Sequence, residues 1–224
     1  MVIETGAEID KIALSYTLKK PTYQLMTKTF SGLLLCFFLT IISLQAQTEF
    51  ILQEDSEITI DGTSTLHTWT AVVNEYSGFV HLLPAIFKKK LKKGAVVKQG
   101  SFNFKVESID GGRGASMNKK IRTALKSKEH PEISFQLTDP AVITEISDEG
   151  FTLVGKGQLV VGGISKEQEV IFNGKFLENG DLQLEGSKDL QFSTFDIEPP
   201  SAMFGQIVTG NDITLNFNLR FTKK

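Results

Sequence analysis

From Glu49 to the C-terminus, apolar and polar residues alternate with period two. The clearest run is "DITLNFNLRF", where Ile213, Leu215, Phe217, Leu219 and Phe221 alternate with polar neighbours. Such regularity predicts a strand with one apolar and one wet face, as in antiparallel sheets. "SFNFKVE" repeats the pattern with Phe102, Phe104 and Val106, and "EISFQLT" with Ile133, Phe135 and Leu137. "STLHTWTAVV" and "GFVHLL" read as two strands joined at "NEYS". Further on, "GFTLVGKGQLVV", "QEVIFNGKF" and "DLQLEGSKDLQF" follow in quick succession. Gly162-Gly163 marks one reversal, and Asn179-Gly180 predicts a two-residue hairpin because both residues tolerate positive φ. About eight strands result, at the spacing of a sandwich or barrel.

One segment breaks the period. In "SMNKKIRTALKS", Met117, Ile121, Ala124 and Leu125 fall on one helical face, with Lys119, Lys120, Arg122 and Lys126 around the rest. Pro199 and Pro200 in "STFDIEPPSAMFG" exclude a central strand there. The pattern is that of one all-β domain over residues 48–224, with one short helix between strands. An eight-stranded sheet with one apolar face loses its exposed edges by closing on itself. Its interior then holds side chains or one slender ligand.

Composition adds an unusual bias: 17 Phe against 3 Tyr and 1 Trp, which makes for a dry interior. The net charge of −2 gives no reason to expect nucleic acid as partner. The basic run "KKKLKK", Lys88 to Lys93, reads as a solvated loop or as a point of transient contact with anionic headgroups. Upstream, Met26 and Lys28 precede the apolar run 30–44, and "QAQ" follows it. That order is the anatomy of a signal peptide over residues 26–46, cleaved near Ala46, which implies a periplasmic or secreted protein. Residues 1–25 fit poorly ahead of such a segment and suggest a mis-assigned start. The only cysteine, Cys36, lies inside the apolar run, so the mature chain has no disulfide.

"DGTSTLHTWT" contains Asp61, Ser64 and His67, the ingredients of nucleophilic catalysis. On one continuous strand Ser64 and His67 point to opposite faces, which denies them a hydrogen bond. No G-x-S-x-G elbow is present. His67, His81 and His130 lack the spacing of metal ligands. The glycines of "DGGRGAS" match neither phosphate-binding fingerprint. The reading is a binding protein without catalytic residues, metal or cofactor. If the "NEYS" hairpin pairs residues summing to about 150, Trp69 faces His81, and Trp69, Ala71 and Phe79 share one face. Trp69 and Phe79, with Phe102, Phe104, Phe135, Phe172, Phe192 and Phe217, are then the candidate lining of a cavity.

The order of motifs resembles the YceI-like lipid/polyisoprenoid-binding family. The matching stretches are "IDGTSTLHTWTAVV" followed by "SGFV", then "HPEISFQL", "GKGQLVVGGISKEQEVIF" and the terminal "STFDIEPPSAMFGQIVTGNDITLNFNL". The resemblance implies a lipocalin-like antiparallel β-barrel, exported in bacteria, enclosing an isoprenoid or similar long-chain lipid for carriage or sequestration. The alternative is a filled barrel acting as a stress-related or interaction module without ligand.

Overall fold

The computed structural model describes residues 47–224 apart from residue 89. The upstream segment 1–25 and the expected signal sequence 26–46 lie outside the described residues. Thirteen strands follow in order. They are β1 (Thr48–Leu52), β2 (Glu57–Ser64), β3 (Thr68–Val73), β4 (Tyr76–Leu82), β5 (Gly94–Lys105) and β6 (Ile109–Asp110). After helix α1 (Ala115–Ala124) come β7 (Glu132–Leu137), β8 (Ala141–Ile146), β9 (Phe151–Val161), β10 (Ile164–Phe176), β11 (Leu182–Gln191), β12 (Ser201–Ala202) and β13 (Ile207–Lys223).

Their pairings form a closed antiparallel ring of eight staves. Single strands supply four: β9, β10, β11 and β13. Each of the other four joins two consecutive strands, β1 with β2, β3 with β4, β5 with β6, and β7 with β8. Both β1 and β2 pair along one edge of β13, at Phe50↔Lys223 and Asn218↔Glu57, while β11 takes the other edge. The breaks within staves are tied. At the first, the Gln53 N–H donates to the Arg220 carbonyl (2.8 Å) and the Arg220 N–H to Ser56 Oγ (3.0 Å). The Tyr76 hydroxyl reaches the Glu54 (2.8 Å) and Ser56 carbonyls there. The chain from residue 47 therefore contains a whole ring and a whole core.

Two hairpin expectations are corrected. "STLHTWTAVV" is no single strand: β2 ends at Ser64, the chain reverses, and β3 returns antiparallel with Gly62↔Trp69 and Thr63↔Thr68. Nor does "NEYS" form a hairpin. β3 and β4 run in line as one stave, so Trp69 faces Gly62, whereas His81 faces Glu49 and Gln99. The sequence pattern specifies the inward phase of a strand but not its neighbour, which is why the guess failed here. Gly162-Gly163 is the true two-residue turn, with both φ positive and Val161 paired to Ile164. The turn at Asn179-Gly180 spans residues 177–181.

The inward row of β13 shows how the interior is filled. Exposure falls from Phe217 (9%) through Leu219 (4%) to Phe221 (0%), while Ile213 and Leu215, nearer the other end, are half-buried. The end around Phe221 is solid, packed with Phe50, Leu82, Val96 and Leu182. Each such side chain contributes about 1.5–3 kcal/mol by burial. The other end is hollow, and α1 lies across it.

Candidate functional site: an apolar cavity at one end of the barrel

The hollow half encloses a cavity of about 150 Å³. Its wall comes from the inward rows of the strands: Ile60, Trp69, Ala71, Phe104, Leu190 and Leu215. Met117 and Ile121 of α1 close it from one side, as the helical spacing predicts. Phe192, Phe195 and Ile197 close it from another. Those three belong to the segment that two prolines keep out of the sheet, so it folds inward as a 3₁₀ turn, Phe192–Phe195. Polar side chains appear only toward the rim: Ser64, His67, Arg113, Gln191, Ser201 and Thr209.

Below it lies a second cavity of about 50 Å³, lined in part by Phe102, Phe135, Phe172 and Phe217. Phe104, Leu159, Leu190 and Leu215 line both and stand between them. The phenylalanines pack ring to ring, Phe172 with Phe217 at 5.2 Å and Phe102 with Phe135 at 6.2 Å. They are the floor on which the solid half begins. Beside this floor the wall is incomplete. The β10–β11 ladder stops at Asn173↔Glu185, although both strands continue toward the hollow end. Gln168 and Lys188, polar residues on the inward face, stand in that parting and line the lower cavity.

Of the sequence-predicted lining, Trp69, Phe104 and Phe192 reach the upper cavity, and Phe102, Phe104, Phe135, Phe172 and Phe217 the lower one. Phe79 does not. On β4, Val80 and Leu82 point inward, so Phe79 and His81 point out, their rings tilted against each other with centroids 4.9 Å apart. The error follows from the false hairpin, which fixed the wrong phase. Aliphatic residues were missed, Ile60, Ala71, Ile121, Leu190 and Leu215 among them, although each sits at an inward or helix-face position of the pattern.

The break at Ser64 also brings together two residues that a continuous strand would separate. Ser64 Oγ lies 2.9 Å from His67 Nδ1. The same hydroxyl donates to the His67 carbonyl (2.9 Å) and receives the Leu66 and His67 N–H groups at 3.4 and 3.3 Å. That is how a serine caps a tight turn. Asp61 is engaged elsewhere, by Thr70 (2.5 Å) and Asn216 (2.7 Å), and does not orient the imidazole. The dyad is accounted for by the turn it holds.

A family model described as the YceI-like domain matches residues 51–221. None of the curated proteins matches the chain significantly. Among solved structures, the chain is similar to a polyisoprenoid binding domain from Saccharophagus degradans implicated in plant cell wall breakdown. There the TM-score is 0.60 at 11% identity, covering 80% of this chain and 100% of that one. BcnA of Burkholderia cenocepacia aligns with TM-score 0.57 at 16% identity, over 75% of this chain and 96% of that one. The YCEI protein of Campylobacter jejuni aligns with TM-score 0.51 at 16% identity, over 69% and 84%. The match over residues 51–221 spans the whole ring from β1 to β13, and the chain belongs to the YceI-like domain family.

Proposed function

We propose that this protein carries or sequesters a long apolar molecule, such as a polyisoprenoid, by enclosing it in the hollow half of the barrel. The observation that carries the reading is the cavity wall, aliphatic and aromatic throughout and polar only at the rim. The similar fold of a polyisoprenoid binding domain supports the same ligand class. A five-carbon isoprene unit gains roughly 3–4 kcal/mol at about 0.8 kcal/mol per buried carbon, before ordering costs. Affinity then needs no polar recognition, and the residues present supply little.

A cavity of about 150 Å³ is the size that holds a benzene ring. A longer chain therefore needs the space beneath it. Joining the two cavities requires the side chains between them, Phe104 among them, to turn aside, and the parting between β10 and β11 gives the wall room to yield. A filled barrel without ligand is the rival reading, favoured by the solid packing around Phe221. The protein is exported, with the mature chain starting near Gln47; β1 begins at Thr48, directly past the expected cleavage site. Native mass spectrometry of the protein purified from the exported fraction tests these readings together. The expected species begins near Gln47 and carries a releasable long-chain molecule. A bare mass, unchanged on adding polyisoprenoid, would support the filled barrel, and retention of residues 30–44 would overturn export.

A further inference from the structure

Two hairpin tips flank the cavity mouth. One is the β2–β3 turn at residues 64–67, and the other is the β12–β13 hairpin, whose tip is residues 203–206. The Thr65 N–H donates to the Val208 carbonyl (3.0 Å) and the Val208 N–H to Thr65 Oγ1 (3.3 Å), so the two lie side by side. Their neighbours in the chain, Ser64, His67, Ser201, Ile207 and Thr209, line the cavity, which places the tips on its rim.

Both tips present apolar side chains to water. Leu66 is 70% exposed, Met203 63%, Phe204 fully and Val208 substantially. One exposed apolar residue is ordinary, but three on adjoining tips, with Val208 beside them on β13, form a patch that marks an interaction surface. Met203 and Phe204 are, moreover, successive non-glycine residues at positive φ (52° and 56°). Few such residues adopt that conformation, and here it leaves two large side chains standing in solvent rather than in the core.

Charge identifies what covers the patch. Residues 111–128, which include α1, contain Arg113, Lys119, Lys120, Arg122, Lys126 and Lys128 and no acid. Arg122 is paired with Glu107 (3.1 Å), and Lys120 Nζ donates to the Ser201 carbonyl (2.6 Å), tying α1 to the β12–β13 hairpin. Arg113, Lys119, Lys126 and Lys128 are exposed. The acids of the neighbouring segment 192–209 are Asp196 and Glu198 alone.

Apolar tips beside a basic helix are the pairing that seats a protein on an anionic bilayer: apolar side chains enter the headgroup layer while cations hold the lipid phosphates. We infer that the mouth of the barrel docks on an anionic lipid bilayer through Leu66, Met203 and Phe204, with residues 111–128 on the headgroups. The cavity then opens onto the membrane, so a chain passes between the two without crossing water. That passage rests on the carrier reading, whereas the docking does not. The other basic run, Lys88 to Lys93, joins β4 to β5 at the solid end and has no part in it.

The test is cosedimentation of the chain from Gln47, which holds the whole ring, with phosphatidylcholine vesicles containing or lacking phosphatidylglycerol. Partition is expected only with the anionic lipid and to weaken with salt. The double variant Leu66→Ser/Phe204→Gly should lower it about tenfold or more. Glycine suits the φ of 56° at position 204, so the fold is retained there, as a thermal melt will show. Lys119→Gln and Lys126→Gln should each lower partition about fivefold, and Lys92→Gln/Lys93→Gln should leave it unchanged. Absence of partition, partition undiminished in the tip variants, or loss confined to the Lys92/Lys93 variant would overturn the proposal. A concentration-dependent dimer abolished by Phe204→Gly would assign the patch to a second copy instead. Ligand uptake, read separately from Trp69 emission, can fail with docking intact; that result would sink the carrier reading alone.

Discussion

The Trp69 indole lies across Gly62, where an added Cβ would come within 2.2 Å of the ring, and its N–H donates to the Thr63 carbonyl (2.9 Å). A glycine opposite it is what lets so large a ring lie flat on the inner wall of the rim. One edge is thereby fixed on the backbone while the ring borders the cavity. Because it is the only tryptophan, its emission reports from that wall alone. Titrating delipidated protein with a polyisoprenoid should shift the emission to shorter wavelength and saturate, as the ligand displaces water from the ring. An emission that stays fixed while another assay shows binding would mean that the chain lies away from Trp69. At this scale the sequence was a good guide wherever phase was read from the alternation of the residue's own strand, as for Phe102, Phe135, Phe172 and Phe217. It misled at Phe79, because phase there was inferred from an assumed partner rather than from Val80 and Leu82 on the same strand.

Among the elements, the β10–β11 turn carries a buried carboxylate. Asp181 is 4% exposed and meets Arg220 at 2.7 Å; Arg220 also holds Asp55 at 2.6 Å. Burial by itself would raise the Asp181 pKa, but hydrogen bonds from Arg220, Thr222 and Asn179 and the charge of Arg220 outweigh it and hold the carboxyl below its ordinary range. A carboxyl depressed by folding adds stability above its unfolded pKa, about 3.9, and loses it as the pH falls through the folded value. Asp181→Asn should therefore destabilise the protein by about 2 kcal/mol at neutral pH. In urea melts the gap between variant and wild type should narrow below about pH 4, and a gap constant down to strong acid would exclude the carboxylate as its source. Alternation revealed the strands, but not that Arg220, on the outward row of β13, would bind the turn of another hairpin. Such a contact depends on the order of staves, which no local pattern encodes. The same gap hid the Ser64–His67 turn, since "STLHTWTAVV" alternates across the break almost as well as a true strand.

At the largest scale, the described residues form one ring with two unlike halves. Its eight staves match the count expected from the alternating segments, although four are broken in two to give twelve strands, with β12, paired to β13 alone, as the thirteenth. The division into solid and hollow halves was not legible, because both are lined by the same kinds of residue. Phe221 and Phe104 both occupy inward positions in "F-x-F" or "L-x-F" patterns, and only the closing of the ring makes one core and the other wall. This division carries a consequence for dynamics. Packed interiors open only with global unfolding, whereas regions with fewer apolar contacts open locally at lower cost. Amides of β1, of β4 and of residues 217–223 should accordingly exchange slowly and alike. Those of α1, of residues 186–191 and of the part of β10 that is paired to β9 but not to β11 should exchange faster. A ligand that binds only the folded hollow half stabilises it by RT ln(1 + [L]/Kd), about 2.7 kcal/mol at a hundredfold excess over Kd. Hydrogen exchange with and without a polyisoprenoid should then show slowing concentrated in α1, residues 186–191 and upper β10. Slowing spread evenly over the barrel would mean that the ligand acts on global stability alone, and the hollow half would not be the part that moves to admit it.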